Sequence, residues 1–308
     1  MASISVVMAV YNGAATLAST MDSILGQTER DFELIAVDDG STDETPRILA
    51  AYAARDSRIR VIAQQNTGLT RALIRGCSAA SGKLIARHDC GDRSHPDRLR
   101  KQRALFGDPE LVLATCHTSY LGPGDELLYV AAATGEAIRE SLLRDGAGTV
   151  RGVTHHGNAM FRRDAYERAG GYRAEFRVAQ DLDLWLRLAK LGRIGVVPEV
   201  LYEARIEVGA ISAERRNEQI ASVAIALQLR DETPGETRRA ELLQQAAMIA
   251  RAPLSKRNRR RAEAATLYFI ASCLRRARHP NWSRYARQAV RRDPLLLRGW
   301  ALFLRKFR

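Results

Sequence analysis

Three short segments place groups able to bind a charged ligand just beyond apolar runs. Ser5–Gly13 (SVVMAVYNG) sets an aromatic ring and an amide, Tyr11 and Asn12, after a strand-like stretch, and Val37–Thr45 (VDDGSTDET) sets Asp38 and Asp39 before a Gly-Ser turn. A base stacked on Tyr11 could give its ring N–H to Asp39. Taken alone, either segment also reads as a turn and helix cap, because Ser41 and Asp43 are good N-caps. The third segment, Leu84–Gln102 (LIARHDCGDRSHPDRLRKQ), clusters Asp89 and Asp92 after a strand-like run and then opens a helix at Pro96.

Elements able to position these groups follow from the periodicity. Short β-rich runs alternate with amphipathic stretches: Ile4–Val10 then Ala14–Gly26, Phe32–Asp38 then Asp43–Asp56, Ile59–Gln64 then Gly68–Ala80, and Leu84–His88 then His95–Phe106. Such alternation predicts an α/β fold, with parallel βαβ units and helices packed on a mostly parallel, Rossmann-like sheet. Ligands of such sheets bind at the C-terminal edges of the strands. Val10–Asn12, Asp38–Ser41 and His88–Asp92 all fall on that edge, so three loops can converge on one pocket.

With the third loop added, the chain resembles glycosyltransferase family 2. The usual order there is a strand with YNG, then VDDGSTD, then a strand ending in an acidic DxD-type motif followed by xPxRLxxQ. The resemblance implies a GT-A fold and a nucleotide-sugar donor contacted by Val10, Tyr11, Asn12, Asp38, Asp39, Arg87 and Asp89. It assigns Asp89 to the ribose or metal side. A diphosphate leaving group gains negative charge as the sugar bond breaks, and Mg²⁺ or Mn²⁺ on oxygen ligands neutralises it. Where many relatives read DADD this chain reads Asp89-Cys90-Gly91-Asp92, so Asp92 is taken as the substitute ligand, with capping of the next turn as its alternative.

Further on, His156–Arg163 (HGNAMFRR), Gly170–Tyr172 (GGY) and Ala179–Leu188 (AQDLDLWLRL) keep an order similar to the family's. There an Asp in an ED-like motif at a helix start is the catalytic base, and the matching position is Asp181, with Gln180 replacing the Glu. An acceptor hydroxyl must lose a proton as it attacks the anomeric carbon from the face opposite the diphosphate, so one base and one displacement imply inversion. Asp183, two residues on, is off that helix face and reads as a dipole or capping partner. Trp185, Leu186 and Leu188 read as core. His155 and His156 either line the acceptor side or are structural. Tyr202–Ser212 is similar to a family segment that often offers a His to the metal or diphosphate; Glu207 stands there. Among Arg71, Arg75 and Arg87, the last, just before Asp89, is the first choice for a phosphate.

The charge is uneven. The 308 residues carry +13, yet Arg251–Arg308 holds 17 Lys/Arg against only Glu263 and Asp293, so the remainder is close to neutral. The tail would meet an anionic partner first, and Leu295–Phe307 (LLLRGWALFLRKF) puts Trp300 and Phe303 beside arginines, as interfacial helices do. Packing of Leu295, Leu296, Trp300, Phe303 and Leu304 onto neighbouring helices is the alternative. Strand signals stop near Ser212, and helices broken near Thr233-Pro234, Ala252-Pro253, His279-Pro280 and Asp293-Pro294 follow, the last stretch vaguely resembling one tetratricopeptide-like pair. The expected division is a catalytic domain over 1–212 and a basic helical region over 213–308. Four cysteines without CxxC spacing suggest neither a disulfide framework nor a zinc site. No apolar run approaches a membrane span, so a cytoplasmic protein, at most peripheral on the inner face of the membrane, is expected.

Three other readings compete with this one. A dinucleotide-binding oxidoreductase needs GxGxxG after the first strand, and Tyr11–Thr16 supplies one glycine. Nucleic-acid binding through the tail has the charge but no recognisable module. A non-catalytic scaffold would account for Gly91 and Glu207 but not for intact Asp39, Asp89 and Asp181. The expected partners are a nucleotide-sugar and a saccharide or lipid-linked acceptor, with surface polysaccharide or glycolipid synthesis as the setting implied by the resemblance.

Overall fold

The computed structural model describes residues 2–144, 150, 152–209, 215–231, 235–249 and 255–304. The expected boundary at 212–213, the breaks at Thr233-Pro234 and Ala252-Pro253, and residues 305–308 lie outside these.

Strand β1 (Ile4–Val10) is buried along nearly its whole length because both of its faces are covered. Ile4, Val6, Met8 and Val10 face helix α1 (Ala14–Leu25) through Leu17, Met21 and Ile24, while Val7 faces helix α3 (Leu69–Ser78) through Ala72, Leu73 and Cys77. This two-residue alternation splits the apolar residues of one strand between two cores. Strands β2 (Phe32–Asp38), β3 (Ile59–Ala63) and β4 (Leu84–Asp89), with helix α2 (Thr45–Ala53) between β2 and β3, complete a parallel block in the order β3-β2-β1-β4. Register sets Val10 against Asp38 and Ala9 against Asp89, so the three loops leave one edge of the sheet together.

Beyond β4 the sheet becomes mixed. Strands β5 (Arg93–Ser94), β6 (Leu111–Leu121), β7 (Leu127–Ala131), β8 (Met160–Arg162) and β9 (Arg193–Arg205) join with helices α4 (Arg98–Leu105), α5 (Gly135–Leu143), α6 (Arg163–Arg168) and α7 (Gln180–Leu188). Antiparallel β8 sits between β4 and β6, β9 runs parallel to β6, and β7 turns back on β6 as a hairpin. A 3₁₀ turn, His156–Asn158, precedes β8. This is the GT-A arrangement that the resemblance implies.

The remaining helices pack in two groups. α8 (Arg216–Asp231) and α9 (Glu236–Ile249) place Ile225, Ala226, Leu242 and Ala246 in the core that also contains Leu184, Trp185 and Leu188 of α7. α10 (Lys256–Arg276), α11 (Trp282–Arg292) and α12 (Leu297–Leu304) form a separate cluster around Leu267, Ile270, Leu274, Tyr285 and Ala289, joined to the sheet by Leu128. Helices end before His279-Pro280 and Asp293-Pro294, where expected.

A buried carboxylate fixes this second group. Glu126, at the β6–β7 turn, accepts hydrogen bonds from Asn281 Nδ2 at 2.8 Å, Tyr285 Oη at 3.1 Å and Gly124 N at 3.0 Å. Bonds to a charged acceptor contribute about 1.5–3 kcal/mol each, and orphaned donors cost more than exposed ones. Glu126→Ala is therefore expected to loosen α10 and α11 by about 2–4 kcal/mol while leaving β1, β2 and β4 protected, as read by amide hydrogen exchange. Equal loss of protection in the parallel block would contradict this local role.

Candidate active site

The first two loops are stitched to each other. Asn12 adopts φ 51°, a left-handed conformation that Asn tolerates better than most residues, and its Oδ1 accepts from Thr42 N at 2.8 Å. Ser41 Oγ, Thr45 Oγ1 and Asp43 Oδ2 accept from Asn12 N, Gly13 N and Ala14 N at 2.9, 2.9 and 3.1 Å. Asp43 thus caps α1, some 30 residues away in sequence, because the first amides of a helix lack internal partners, while Ser41 fixes the loop just before it. A Cβ at Gly13 would lie 2.7 Å from Cys90 Sγ, so the third loop can approach only a glycine here.

Of the residues expected at the donor, Val10 is buried and Tyr11 stands 52% exposed with its ring available for stacking. Asp38 is buried and accepts from Ser41 N at 3.0 Å, holding the turn. Asp39 is also buried: its Oδ1 accepts from Thr67 N at 2.9 Å and Gln64 Nε2 at 2.6 Å, and its Oδ2 from Gly68 N at 2.8 Å. A carboxylate has about four acceptor directions, so Oδ2 retains one for a further donor among the described residues.

Arg87 is fully buried instead of lying at the cleft surface. Its guanidinium donates to Val7 O, to His88 O at 3.1 Å, and to Asp89 Oδ1 at 2.6 Å. Its donors are spent inside the protein, so the expectation of a phosphate contact gives way to a positioning role. Burial opposes ionisation of Asp89, but Arg87 together with His156, His155 and His88 outweighs it and holds the carboxyl below its usual range. Asp92 behaves oppositely. Burial pushes it up to about 6, against the pull of His155 and with the help of the Asp89 charge.

Tyr202 of β9 organises this pair. Its hydroxyl accepts from Asp89 N at 3.1 Å and donates to Asp92 Oδ2 at 2.9 Å, while Asp92 Oδ1 accepts from Arg205 N at 3.0 Å. Asp92 is therefore not merely a turn cap. Arg98 lies over the Tyr202 ring at 5.0 Å, and the His155 ring stacks on it at 5.3 Å. Gly157 is required beside them, since a Cβ there would come within 2.1 Å of the Tyr202 hydroxyl.

The two histidines separate. His156 is half-buried, its Nε2 2.8 Å from Tyr172 Oη, and desolvation together with Arg87 pushes it down to about 4. His155 Nδ1 lies 3.7 Å from Asp92 Oδ2 and 4.0 Å from Asp89 Oδ2, and the ligand atoms of the three residues all lie within 4.8 Å of one another. Two carboxylates and an imidazole suit Mn²⁺ or Mg²⁺. The donor set fits a divalent cation, at the cost of the Gly157 N–H bond that His155 Nδ1 now accepts at 3.0 Å. Glu207, exposed, has its Oε1 3.6 Å from where a Cβ of Gly91 would lie, beside the same loop.

On α7, Asp183 is buried and paired with both Arg173 at 2.9 Å and Arg187. It is therefore engaged, and more tightly than a helix-dipole role requires. Asp181, half-buried in the first turn, makes no hydrogen bond or ion pair among the described residues, and its charge acts on His156, Tyr172 and Tyr120 of the cleft. Ala179, with φ 59°, turns the chain into that helix. Trp185, Leu186 and Leu188 are core, as expected.

Residues 5–170 match the sequence model of glycosyl transferase family 2. EpsE of Bacillus subtilis (strain 168), which is named as a glycosyltransferase, is 37% identical over 207 residues, spanning 66% of this chain and 72% of its own length. Two solved structures share the fold. S. aureus TarS 1–349 in complex with UDP-GlcNAc has a TM-score of 0.58 at 14% identity, covering 94% of this chain and 88% of that one. The mannosyltransferase PcManGT from Pyrobaculum calidifontis, in complex with GDP-Man and Mn²⁺, has a TM-score of 0.58 at 19% identity, covering 99% and 81%.

Removing one oxygen tests the organisation around Tyr202. Tyr202→Phe keeps the ring stack but orphans Asp89 N and one Asp92 oxygen. Loss of a partner that orients ligands typically costs about 10–100-fold in metal affinity, and Mn²⁺ binding followed by calorimetry is expected to weaken by that factor. An unchanged affinity would remove Tyr202 from this role.

Proposed function

Since the chain belongs to glycosyl transferase family 2, we propose that it moves a sugar, most simply a hexose, from a nucleotide-diphosphate donor to an acceptor hydroxyl with inversion. The observation that carries this reading is the cluster of Asp89, Asp92 and His155 beyond one strand edge, with the charge of Asp181 acting on His156 and Tyr120 beside it. Tyr11 would stack the base and the remaining acceptor direction of Asp39 would read its ring N–H, beside Val10, Asn12 and Asp38. Asp89, Asp92 and His155 would hold Mg²⁺ or Mn²⁺, which supplies charge neutralisation for the diphosphate when bound. Arg87 and Tyr202 keep the two carboxylates in place.

In the transfer itself, Asp181 takes the proton of the acceptor hydroxyl as its oxygen bonds to the anomeric carbon. The bond from that carbon to the diphosphate oxygen breaks, and the nucleoside diphosphate leaves on the opposite face. The direct test is a panel of UDP-, GDP- and dTDP-sugars, each with and without Mn²⁺, scored by thermal stabilisation. One donor should stabilise the protein, more so with Mn²⁺; no stabilisation by any of them would defeat the reading. Asp181→Asn is expected to slow transfer by about 10²–10⁴-fold while donor stabilisation persists. Activity within a few-fold of the parent would remove Asp181 as base, and Asp183, already in two ion pairs, could not replace it.

The catalytic part would end near residue 212 and the helical remainder would bring it to a membrane where lipid-linked acceptors reside, in surface polysaccharide or glycolipid synthesis. Leu296 and Leu302 pack inward, whereas Leu295 is 75% and Trp300 49% exposed; Arg284, Arg287, Arg291 and Arg292 are exposed too. No described helix is long and apolar enough to cross a membrane. Each basic residue near an anionic surface adds about 1 kcal/mol. Flotation with anionic but not neutral liposomes, weakened by salt and lost on truncation after Ala250, is expected. Equal recovery in the soluble fraction with either lipid would exclude the membrane role.

A further inference from the structure

A line of aromatic rings leads out of the candidate cation site along the β6–β7 hairpin. His155 meets the edge of Tyr120 at 5.8 Å between centroids, and Tyr120 stacks on its cross-strand partner Tyr129 at 4.5 Å with the planes 8° apart. Tyr129 then meets the edge of Phe269 on α10 at 6.0 Å. The inner ring is fixed, because Tyr120 Oη donates to Thr154 O at 2.7 Å. The outer two are open: Tyr129 is 38% and Phe269 42% exposed, and the Tyr129 hydroxyl has no partner among the described residues.

Contiguous exposed aromatic rings, unlike single scattered ones, mark a candidate binding surface, and an aromatic face with a polar tip suits a partly wet ligand. Position says what would bind. In the sheet, β2 and β1, which carry Asp39 and Tyr11, lie on one side of β4 and its Asp89, whereas β6 and β7 lie on the other. A donor base on the first side leaves the second side for the group that attacks from the opposite face. Pyranose rings present an axial C–H face that packs on an aromatic plane while their hydroxyls stay in water, which suits a ring with a wet edge.

We propose that Tyr129 and Phe269 form an acceptor platform that stacks a pyranose ring of a saccharide, with Tyr120 as the buttress that holds Tyr129 at its angle. This inference rests on the transferase reading above, and it identifies the acceptor's chemical class as a glycan recognised through a sugar face, at the joint between the sheet and the C-terminal helices.

The test uses the full chain with Mn²⁺ and methyl glycosides of glucose, galactose, mannose, rhamnose and N-acetylglucosamine, observed by saturation-transfer NMR. At least one should receive saturation on its ring protons, retained in Tyr129→Phe and reduced about fivefold in Tyr129→Ala and Phe269→Ala, as loss of an aromatic contact implies. Melting temperatures of the variants exclude misfolding, and Tyr129→Phe keeps the ring if the alanine variant fails to fold. Saturation absent for every glycoside, or unchanged in Tyr129→Ala, would overturn the platform. Thermal stabilisation by nucleotide-sugars, measured on the same samples, separates the two failures. If a donor stabilises the protein but no ring-dependent saccharide binding appears, the platform falls and the transferase reading stands. If saccharide binding depends on Tyr129 but no donor stabilises the protein, the transferase reading falls instead.

Discussion

Two carboxylates held side by side under cover are the constraint from which the rest of the site follows. Asp89 and Asp92 share one turn, and desolvation disfavours the charged form of both. The chain resolves this unequally: Arg87 and the nearby histidines hold Asp89 low, while Asp92 stays high and leans on the Tyr202 phenol. Arg87 is itself a buried cation, satisfied by Val7 O and His88 O, so β1 and β4 must lie in register for the pair to exist. A cation between Asp89, Asp92 and His155 would complete the balance that the side chains leave unfinished.

The same constraint explains residues that never touch the cleft. Arg98 donates to Arg87 O at 2.6 Å, to Ser94 Oγ at 2.8 Å and to Gln102 Oε1 at 3.1 Å, and supports the Tyr202 ring from below. Gln102 continues to Asn158 O at 2.7 Å, tying α4 to the turn that carries His155 and Gly157. The RLxxQ pattern after Pro96 is therefore a support under the acidic loop. On the other side, Ser41, Asp43 and Thr45 hold the start of α1 and so fix the angle at which Tyr11 leaves the sheet.

Much of this was legible in the chain, and the part that was not has a common cause. The alternation through Phe106 gave β1 to β4 and their helices within a few residues, and strand-edge reasoning put Tyr11, Asp39 and Asp89 on one edge, because those units are built from local periodicity. Tyr202 reaches Asp89 across 113 residues and through the mixed half of the sheet, where no local pattern announces which strand lies beside β6. His155 and His156 are adjacent in sequence yet face a carboxylate pair and a buried tyrosine, a division that only the 3₁₀ turn makes. Arg87 looked available because arginine is usually exposed; its burial follows from a strand covered on both faces. The signal that could have pointed to Tyr202 is its place on an apolar strand shortly before Glu207, within a segment already aligned with the site.

On the proposed reading, Asp89, Asp92 and His155 form one divalent-cation site at the C-terminal edge of the parallel strands. Crystals grown with MnCl₂ and the stabilising nucleotide, measured at the manganese absorption edge, test it most directly. A single strong anomalous peak is expected within about 2.5 Å of oxygens from both Asp89 and Asp92, with the His155 ring nitrogen turned toward it. A peak coordinated by Asp39 or Glu207 without either of the paired aspartates, or none in crystals that contain ordered nucleotide, would contradict it.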